Sequence, residues 1–325
     1  MSGIPLFLAG LVLLGIGAEM VVRGASRLAA SLGVSPLVLG LTVVAIGTSM
    51  PELVVGITAS WQGSGVLAVG NIAGTNLFNI LFILGLSALL QPLPLHLRVL
   101  KLDLPIMIVA ATLMTVMAWD GVLTRLEGGL LLSIAIPYTV AVILMSRAEM
   151  QSVQAEFSDL YGATPELRRA VVQTRVKYAG ILAAGMGLTV LGADWLVDGA
   201  IDIARSLGIS EALIGLTIVA IGTSAPELAT TVVATLKGDR DVAVGNLLGS
   251  SIYNILVILG LTCLVSPDGL PVERQLLLVD IPLMAGVAFL CLPVFATGKR
   301  VSRGEGGAFV AVYAAYMSWL LFFRL

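Results

Sequence analysis

A seven-residue motif occurs twice in this chain, and each copy places a carboxylate inside a long apolar stretch. Residues 47–53 read Gly-Thr-Ser-Met-Pro-Glu-Leu, and residues 222–228, which lie 175 positions later, read Gly-Thr-Ser-Ala-Pro-Glu-Leu. An ionisable residue within a membrane segment is costly and marks a functional site by default. A matched pair of such motifs in the two halves of a chain is typical of transporters whose ion site lies between two repeats.

The composition is that of an integral membrane protein. The 325 residues are 58% hydrophobic and 12% charged, with a mean hydropathy of +1.03, whereas soluble domains carry about 25% charged residues. The net charge of −2 does not favour a nucleic-acid partner, so the expected surroundings are the lipid bilayer. Residues 4–22 lack a preceding basic segment, which favours a retained first helix over a cleaved signal peptide. Cys263 and Cys291 lie in apolar segments, where we expect small core residues and neither a disulfide nor a metal cluster.

Ten stretches are long enough to cross a bilayer, which needs about 20 apolar residues per helix. They lie near residues 4–22, 34–60, 66–90, 102–118, 128–146, 178–198, 210–236, 242–265, 276–296 and 305–323. A long polar stretch, 147–177, separates two sets of five. We therefore predict a five-helix repeat over 1–146, a linker loop over 147–177 and a second five-helix repeat over 178–325.

The positive charges indicate the orientation in the membrane. With the N-terminus outside, fourteen of the eighteen Lys and Arg residues lie on the cytoplasmic side of the ten predicted spans. Cytoplasmic loops carry an excess of these residues. We therefore predict that both termini are outside and that the 147–177 loop is cytoplasmic.

The two halves repeat each other in sequence. Residues 40–53 and 215–228 differ at only two of fourteen positions, and the same offset relates Gly70-Asn71 to Gly245-Asn246. Because each half has five spans, the second copy enters the membrane from the opposite face. The sequence thus predicts an all-α membrane protein of ten helices in two inverted five-helix repeats, as in alternating-access transporters. Pro51 and Pro226 should break helices 2 and 7, because proline removes a helical hydrogen bond.

The polar residues near the two motifs are oxygen donors. Each half has hydroxyls, a Pro and a Glu in one span, and a Gly-Asn…Gly-Thr/Ser…Asn cluster in the next, at residues 70–79 and 245–254. Oxygen ligands suit Ca²⁺, Na⁺ or Mg²⁺, whereas Zn and Cu favour imidazole or sulfur. The single histidine, His96, lies in a predicted loop. Two facing glutamates would repel each other, so the site should bind a cation or a proton.

Four further acidic residues also occur as matched pairs. Glu19 and Asp194 lie near predicted span ends, where we expect an interfacial or structural role. Asp103 and Asp280 each precede a Leu-Pro or Ile-Pro pair at the start of a span, which is the pattern of a helix cap.

These motifs are similar to those of a known family. The paired Gly-Thr-Ser-x-Pro-Glu motifs, each followed by Gly-Asn-x-x-Gly-Ser/Thr-x-x-x-Asn, resemble the two α-repeats of the sodium/calcium exchangers in the cation/Ca²⁺ antiporter superfamily. The chain resembles the compact prokaryotic members in particular. The resemblance implies a prokaryotic inner-membrane antiporter that exports Ca²⁺ in exchange for Na⁺, needs no cofactor and functions as a monomer. It also implies that spans 1 and 6 slide against the remaining bundle.

The resemblance further implies the residues that bind the transported ions. They are Glu52 and Glu227 as central carboxylates, Thr48, Ser49, Thr223 and Ser224 as hydroxyl or carbonyl ligands, Ala45 and Ala220 through their backbone carbonyls, Thr75 and Ser250 in outer Na⁺ sites, and Asn79 and Asn254 at the centre.

Two departures from related motifs bear on the coupling ion. Potassium-dependent relatives carry Asp where this chain has Asn254, which favours a potassium-independent exchanger, and Thr75 replaces the more usual Ser. The Gly-Asn-Ala-x-Glu type of motif of proton-coupled relatives is not matched, which disfavours H⁺/Ca²⁺ exchange and leaves it as the alternative. A cation channel would need a pore, usually from a symmetric oligomer, and an intramembrane enzyme lacks a Ser–His pair or a His-Glu metal motif.

Overall fold

A computed structural model of the protein describes residues 3–158, 165–207 and 220–323. The regular secondary structure there is helical apart from four two-residue strands, and several helices contain a wider π turn. The helices are α1 (Gly3–Leu32), α2 (Pro36–Thr48), α3 (Met50–Trp61), α4 (Gly65–Leu90), α5 (Val99–Asp120), α6 (Arg125–Ser158), α7 (Pro165–Ser206), α8 (Ala220–Gly222), α9 (Ala225–Lys237), α10 (Arg240–Val265), α11 (Leu276–Ala296) and α12 (Arg303–Phe323).

These helices make the chain a multi-pass membrane protein. Eight helices in the described ranges are long and apolar enough to cross a membrane, and α2 with α3, which meet at a bend of 41°, would make a ninth. The predicted span over 210–236 lies partly outside the described residues, and α9 covers most of its second part. Helices α6 and α7 extend beyond the predicted spans, so residues 147–158 and 165–177 of the predicted linker are helical.

The two halves match in backbone detail as well as in sequence. A π turn occupies Phe78–Leu84 in α4 and Asn254–Leu259 at the matching place in α10, and a second one occupies Val99–Asp103 in α5 and Leu276–Asp280 in α11. A cavity of about 10 Å³, room for one water molecule, lies where the halves meet. Its lining consists of four matched pairs, which are Asn76 and Ser251, Ile80 and Ile255, Met107 and Met284, and Ala111 and Ala288.

Short antiparallel strand pairs join the two halves. Strand β1 (Leu93–Pro94) pairs with β4 (Arg300–Val301), and β2 (Val122–Leu123) pairs with β3 (Leu270–Pro271). Each pair links a loop of the first half to a loop of the second. Leu93, Leu123, Leu270 and Val301 are fully buried, so the pairs also extend the hydrophobic core formed by α4, α5, α6, α10, α11 and α12.

The prediction that Asp103 and Asp280 cap helices is wrong. Both have helical backbone angles, because a π turn precedes each of them and the helix continues without a break, and neither side chain makes a capping hydrogen bond. Instead, Asp103 accepts a hydrogen bond of 3.0 Å from the Tyr138 hydroxyl, and Asp280 accepts one of 2.7 Å from the Tyr316 hydroxyl. The two carboxylates therefore join α5 to α6 and α11 to α12.

Helices α1 and α7 pack against each other along rows of glycine. Gly10, Gly17 and Gly24 of α1 recur every seven residues, or about two helical turns, and so lie on one face. A Cβ atom placed on Gly17 would lie 2.6 Å from the backbone nitrogen of Thr189 in α7, and one on Gly24 would lie 2.8 Å from that of Leu182. The two backbones are therefore in direct contact.

The cysteines, Cys263 and Cys291, are buried and free, as predicted.

Candidate ion-binding site

The first motif lies where two helices meet at a turn. Helix α2 ends at Thr48, Ser49 has non-helical angles (φ −85°, ψ 12°), and α3 starts at Met50. Pro51 has no N–H, so it cannot bond the carbonyl four residues earlier, and the chain bends there. Glu52 is consequently in the first turn of α3 and is fully buried. A carboxylate at a helix N-terminus is stabilised by the free N–H groups.

The second motif has the same local structure. Helix α8 ends at Gly222, Ser224 has the angles φ −90° and ψ 9°, and α9 starts at Ala225 with Pro226 in its first turn. Glu227 is again in the first turn and is fully buried. Both motifs thus bring a glutamate into the interior at the start of a helix.

The hydroxyls of each motif bond to the glutamate of the other. Ser49 Oγ donates a hydrogen bond of 2.7 Å to Glu227 Oε1, and Ser224 Oγ lies 3.2 Å from Glu52 Oε1 as a donor. Thr48 also contacts Glu227, and Thr223 contacts Glu52. The two halves are therefore interlocked at this point, and the two carboxylates share one buried region.

Helices α4 and α10 complete the site. Thr75 Oγ1 lies 3.4 Å from Ser224 Oγ, and Ser250 Oγ lies 3.5 Å from the carbonyl oxygen of Ala45. Ser250 also contacts Glu227. Because Thr75 belongs to the first half and Ser224 to the second, these contacts cross between the halves as well.

Six buried polar atoms of this region have no hydrogen-bond partner. They are Oε2 of Glu52, Oε2 of Glu227, and the amide oxygen and nitrogen of both Asn79 and Asn254. Buried polar groups are nearly always hydrogen-bonded, and an unpaired one costs about 1–3 kcal/mol, more if it is charged. A bound cation or water would satisfy the oxygens.

The structure brings most of the predicted site residues together. Ala45, Thr48, Ser49, Glu52, Thr75, Thr223, Ser224, Glu227 and Ser250 are joined by the contacts above, and Asn79 and Asn254 are fully buried at the start of matching π turns. Ala220 is the first residue of α8. No group of three His, Cys, Asp or Glu side chains placed to hold a metal ion occurs in the described ranges. The charged side chains joined by the contacts above are Glu52 and Glu227.

Two side chains near the site were not among the predicted ion ligands, although Asn246 lies in the predicted 245–254 cluster. Asn246 accepts a hydrogen bond of 3.1 Å from the Thr48 hydroxyl and donates one of 3.1 Å to Thr231 Oγ1. Asn246 belongs to a repeated Gly-Asn pair, and that repetition was a usable signal. The sequence had no such signal for Thr231, because the matching position in the first half is Gly56.

Helix α7 contacts the site through the glycine of each motif. A Cβ atom placed on Gly47 would overlap the sulfur of Met186, and one placed on Gly222 would overlap Cγ2 of Val197. Both Met186 and Val197 belong to α7. The glycines at the start of the two motifs therefore allow α7 to lie directly against the candidate ion-binding region.

Comparison with known proteins gives one consistent match. The profile of the sodium/calcium exchanger protein family matches residues 2–144 and 177–322. The chain is 36% identical to the inner membrane protein YrbG of Escherichia coli K12, over 97% of this chain and 96% of YrbG. It is 35% identical to the sodium/calcium exchanger MaX1 of Methanosarcina acetivorans, over 98% of both chains. Its fold matches the solved sodium-calcium exchanger NCX_Mj with a TM-score of 0.84 and 30% identity, over 98% of both chains.

Proposed function

Because the chain belongs to the sodium/calcium exchanger family, we propose that it is a secondary active antiporter that exports Ca²⁺ in exchange for Na⁺. The observation that carries this proposal is the crossed arrangement in which Ser49 bonds Glu227 and Ser224 lies against Glu52. It holds two buried carboxylates together, each with one oxygen free of hydrogen bonds. Such oxygens are the ligands that Ca²⁺ and Na⁺ prefer.

The neutral oxygens around the carboxylates complete the proposed ligand set. Thr48, Ser49, Thr223 and Ser224 supply hydroxyl or carbonyl oxygens, and Ala45 and Ala220 supply backbone carbonyls. Thr75 and Ser250 belong to outer Na⁺ sites, and the amides of Asn79 and Asn254 face the centre. Contacts with Glu52 or Glu227, direct or through one further residue, support this assignment for Ala45, Thr48, Ser49, Thr75, Thr223, Ser224 and Ser250. The support for Asn79 and Asn254 is that their buried amides have no hydrogen-bond partner.

The charge of the site bears on whether the exchange of Ca²⁺ for Na⁺ moves net charge across the membrane. One Ca²⁺ balances the two carboxylates, whereas three or more Na⁺ ions overbalance them, so an exchange of that kind moves net charge and responds to the membrane potential. Asn254 is neutral where potassium-dependent relatives carry a carboxylate, and we therefore propose exchange that is electrogenic and independent of K⁺.

The proposed architecture follows the internal repeat. Ten helices form two inverted five-helix repeats, with the second and seventh broken at the two motifs, and one shared site opens to one side of the membrane at a time. The positive charges favour termini outside and a cytoplasmic 147–177 linker. The likeness to YrbG supports an inner-membrane location, and we propose that a single chain is sufficient for transport.

Proton-coupled Ca²⁺ exchange is the second candidate. The observation in its favour is that Glu52 and Glu227 are both fully buried and each has an oxygen without a partner. Such a carboxyl group can bind a proton in place of a metal ion. The two candidates use the same site and differ in the ion that is exchanged for Ca²⁺.

Ca²⁺ uptake into proteoliposomes tests the proposal. Vesicles loaded with Na⁺ are diluted into choline at clamped pH and voltage, and uptake of radiolabelled Ca²⁺ is measured. We expect uptake to follow the Na⁺ gradient and to be lost in Glu52→Gln and in Glu227→Gln, because each removes one of two buried charges. Glu273→Gln is the matched control, since Glu273 is exposed and lies in the loop before α11, outside the site.

Uptake that ignores Na⁺ and follows a pH gradient would keep the site and assign the function to H⁺/Ca²⁺ exchange. Near-normal Ca²⁺ uptake in a folded Glu52→Gln or Glu227→Gln variant would refute the assignment of the ion site itself.

A further inference from the structure

Three buried side chains, those of Thr48, Asn246 and Thr231, are joined in series by hydrogen bonds. The Thr48 hydroxyl donates to Asn246 Oδ1 at 3.1 Å, and Asn246 Nδ2 donates to Thr231 Oγ1 at 3.1 Å. All three residues are fully buried. This series of hydrogen bonds joins α2 of the first half to α10 and α9 of the second. It lies next to Glu227, which is four residues before Thr231 and on the same face of α9.

The orientation of the Asn246 amide decides what Thr48 can do. With Nδ2 directed at Thr231, Oδ1 faces Thr48 and takes its hydroxyl hydrogen. The carbonyl of Ala45, 3.3 Å from Thr48 Oγ1, is more distant than Asn246 Oδ1 at 3.1 Å. The Glu227 carboxylate, which Thr48 also contacts, is a third acceptor for the same hydrogen, and the bond to Asn246 directs that hydrogen away from it. Since a hydroxyl has one hydrogen and two lone pairs, the Thr48 oxygen is then left with its lone pairs for a cation.

The matching positions in the first half have no such arrangement. The offset of 175 residues relates Asn246 to Asn71 and Thr231 to Gly56. Gly56 has no side chain to hold an amide, and a Cβ atom there would lie 2.8 Å from Thr262 Oγ1, so the space is already filled. The Nδ2 atom of Asn71 is buried without a hydrogen-bond partner.

We propose that Thr231 and Asn246 are positioning residues that present Thr48 to the transported cation as an acceptor, and that this makes the two matched halves of the ion site unequal. The inference rests on the proposed function, because it takes Thr48 as an ion ligand. Thr231 itself acts through Asn246 and does not contact the ion.

Loss of the Thr231 acceptor should weaken the binding of Na⁺ more than the binding of Ca²⁺. A divalent ion between two carboxylates gains most of its binding from those charges, and a monovalent ion depends more on the neutral oxygens beside them. Removing the acceptor on Thr231 frees the Asn246 amide to rotate, and Thr48 then loses its fixed direction.

The test compares three substitutions on α9 in the full-length protein. Thr231→Val removes the acceptor with little change in shape, and Thr231→Ser keeps it. Thr235→Val is the matched control, because Thr235 is equally buried and its hydroxyl donates only to the backbone carbonyl of Thr231 at 2.8 Å. The measurements are radiolabelled Ca²⁺ binding by the purified protein and the Na⁺ concentration that half-displaces it.

We expect Thr231→Val to raise the half-displacing Na⁺ concentration about three- to tenfold, which is what the loss of one hydrogen bond corresponds to, with a smaller change in Ca²⁺ affinity. Thr231→Ser should restore the wild-type value and Thr235→Val should leave it unchanged. Thr48→Val combined with Thr231→Val should be no worse than Thr48→Val alone, because the two residues act in series.

The inference is refuted if Na⁺ displacement is unchanged in Thr231→Val, or if Thr235→Val changes it equally. Additive effects in the double variant would equally refute action through Thr48. If the wild-type protein itself bound Ca²⁺ without displacement by Na⁺, the failure would belong to the proposed function.

Discussion

The helix pair α1–α7 and the bundle of α4, α5, α6, α10, α11 and α12 are held together in different ways. In the pair, glycines recur every seven residues on both helices, at Gly10, Gly17 and Gly24 of α1 and at Gly185, Gly192 and Gly199 of α7. In the bundle, close glycine contacts occur at single crossings, such as Gly85 with Gly306 and Gly128 with Gly260.

The bundle has specific side-chain contacts in addition. Asp103 bonds Tyr138, Asp280 bonds Tyr316, and Tyr253 shares a hydrogen bond of 2.7 Å with Thr139. The two strand pairs join its loops, and α5 and α11 each have a paired strand before and after them. Directional hydrogen bonds allow one arrangement, whereas a smooth row of glycines allows two helices to lie close without fixing them to anything else.

The pair is joined to the rest of the protein at few described polar contacts. Glu19 of α1 bonds Lys237 of α9 at 2.7 Å, and the contacts of Met186 and Val197 with Gly47 and Gly222 are apolar. The glycine-packed pair and the hydrogen-bonded bundle thus differ in how they are held, and we expect the pair to move as one unit against the candidate ion site. This division fits the sliding of spans 1 and 6 that the family resemblance implies.

The largest expected effect on transport comes from separating the two helices of the pair. Gly17→Leu would push a four-carbon side chain into the backbone of Thr189, which costs at least the roughly 1–3 kcal/mol of ordinary overpacking. We expect Ca²⁺ uptake to fall below about a tenth of the wild-type rate, because a cost of 1.4 kcal/mol in the transport-competent conformation reduces its population about tenfold. Gly15→Leu is the control, since an added Cβ there meets no atom within 4 Å. Equal activity of the two variants would mean that backbone contact does not hold the pair together.

A substitution in the bundle should reduce stability instead. Asp103 lies 4.0 Å from the buried guanidinium of Arg98 and bonds Tyr138. Asp103→Leu leaves the Arg98 charge without its partner, and we expect the free energy of unfolding to fall by about 3–5 kcal/mol, measured as a lower melting temperature in detergent. The Na⁺ dependence of Ca²⁺ uptake by the protein that remains folded should not change.

Tyr138→Phe removes only the hydrogen bond of that cluster and serves as the milder companion, with a loss of about 0.5–1.5 kcal/mol. A change in Na⁺ dependence at unchanged stability, in either variant, would contradict the assignment of Asp103 to a fixed structural body.

The smallest effect is expected at the contact between the pair and α9. The side chains of Glu19 and Lys237 are 45% and 39% exposed, and salt bridges of this kind contribute about 0–1 kcal/mol. Lys237→Met should therefore alter the rate of Na⁺-driven Ca²⁺ uptake less than about fivefold. The control is Arg23→Gln, because Arg23 bonds Glu19 within α1 and does not join the pair to α9. Loss of transport in Lys237→Met alone would show that this contact governs the movement of the pair.

Several parts of the molecule could be predicted because their signals are local. The two glutamates stand out as charges in apolar stretches, and each Pro explains the break beside them. The number of apolar stretches also predicted a multi-pass helical protein. The roles of Asp103 and Asp280 were predicted wrongly, because a polar residue before Leu-Pro or Ile-Pro has the pattern of a cap whether or not a π turn continues the helix ahead of it.

The sequence alone determined the membrane setting, the duplication and the oxygen-bearing residues that we propose as cation ligands, since these depend on residue type and spacing. Only the tertiary structure decided that the hydroxyls of each motif bond the glutamate of the other, that Thr231 holds Asn246, and that the glycine rows of α1 and α7 face each other. Those contacts join residues more than a hundred positions apart, or residues of neighbouring helices such as Thr231 and Asn246. No periodicity within one segment records which distant segment will lie against it.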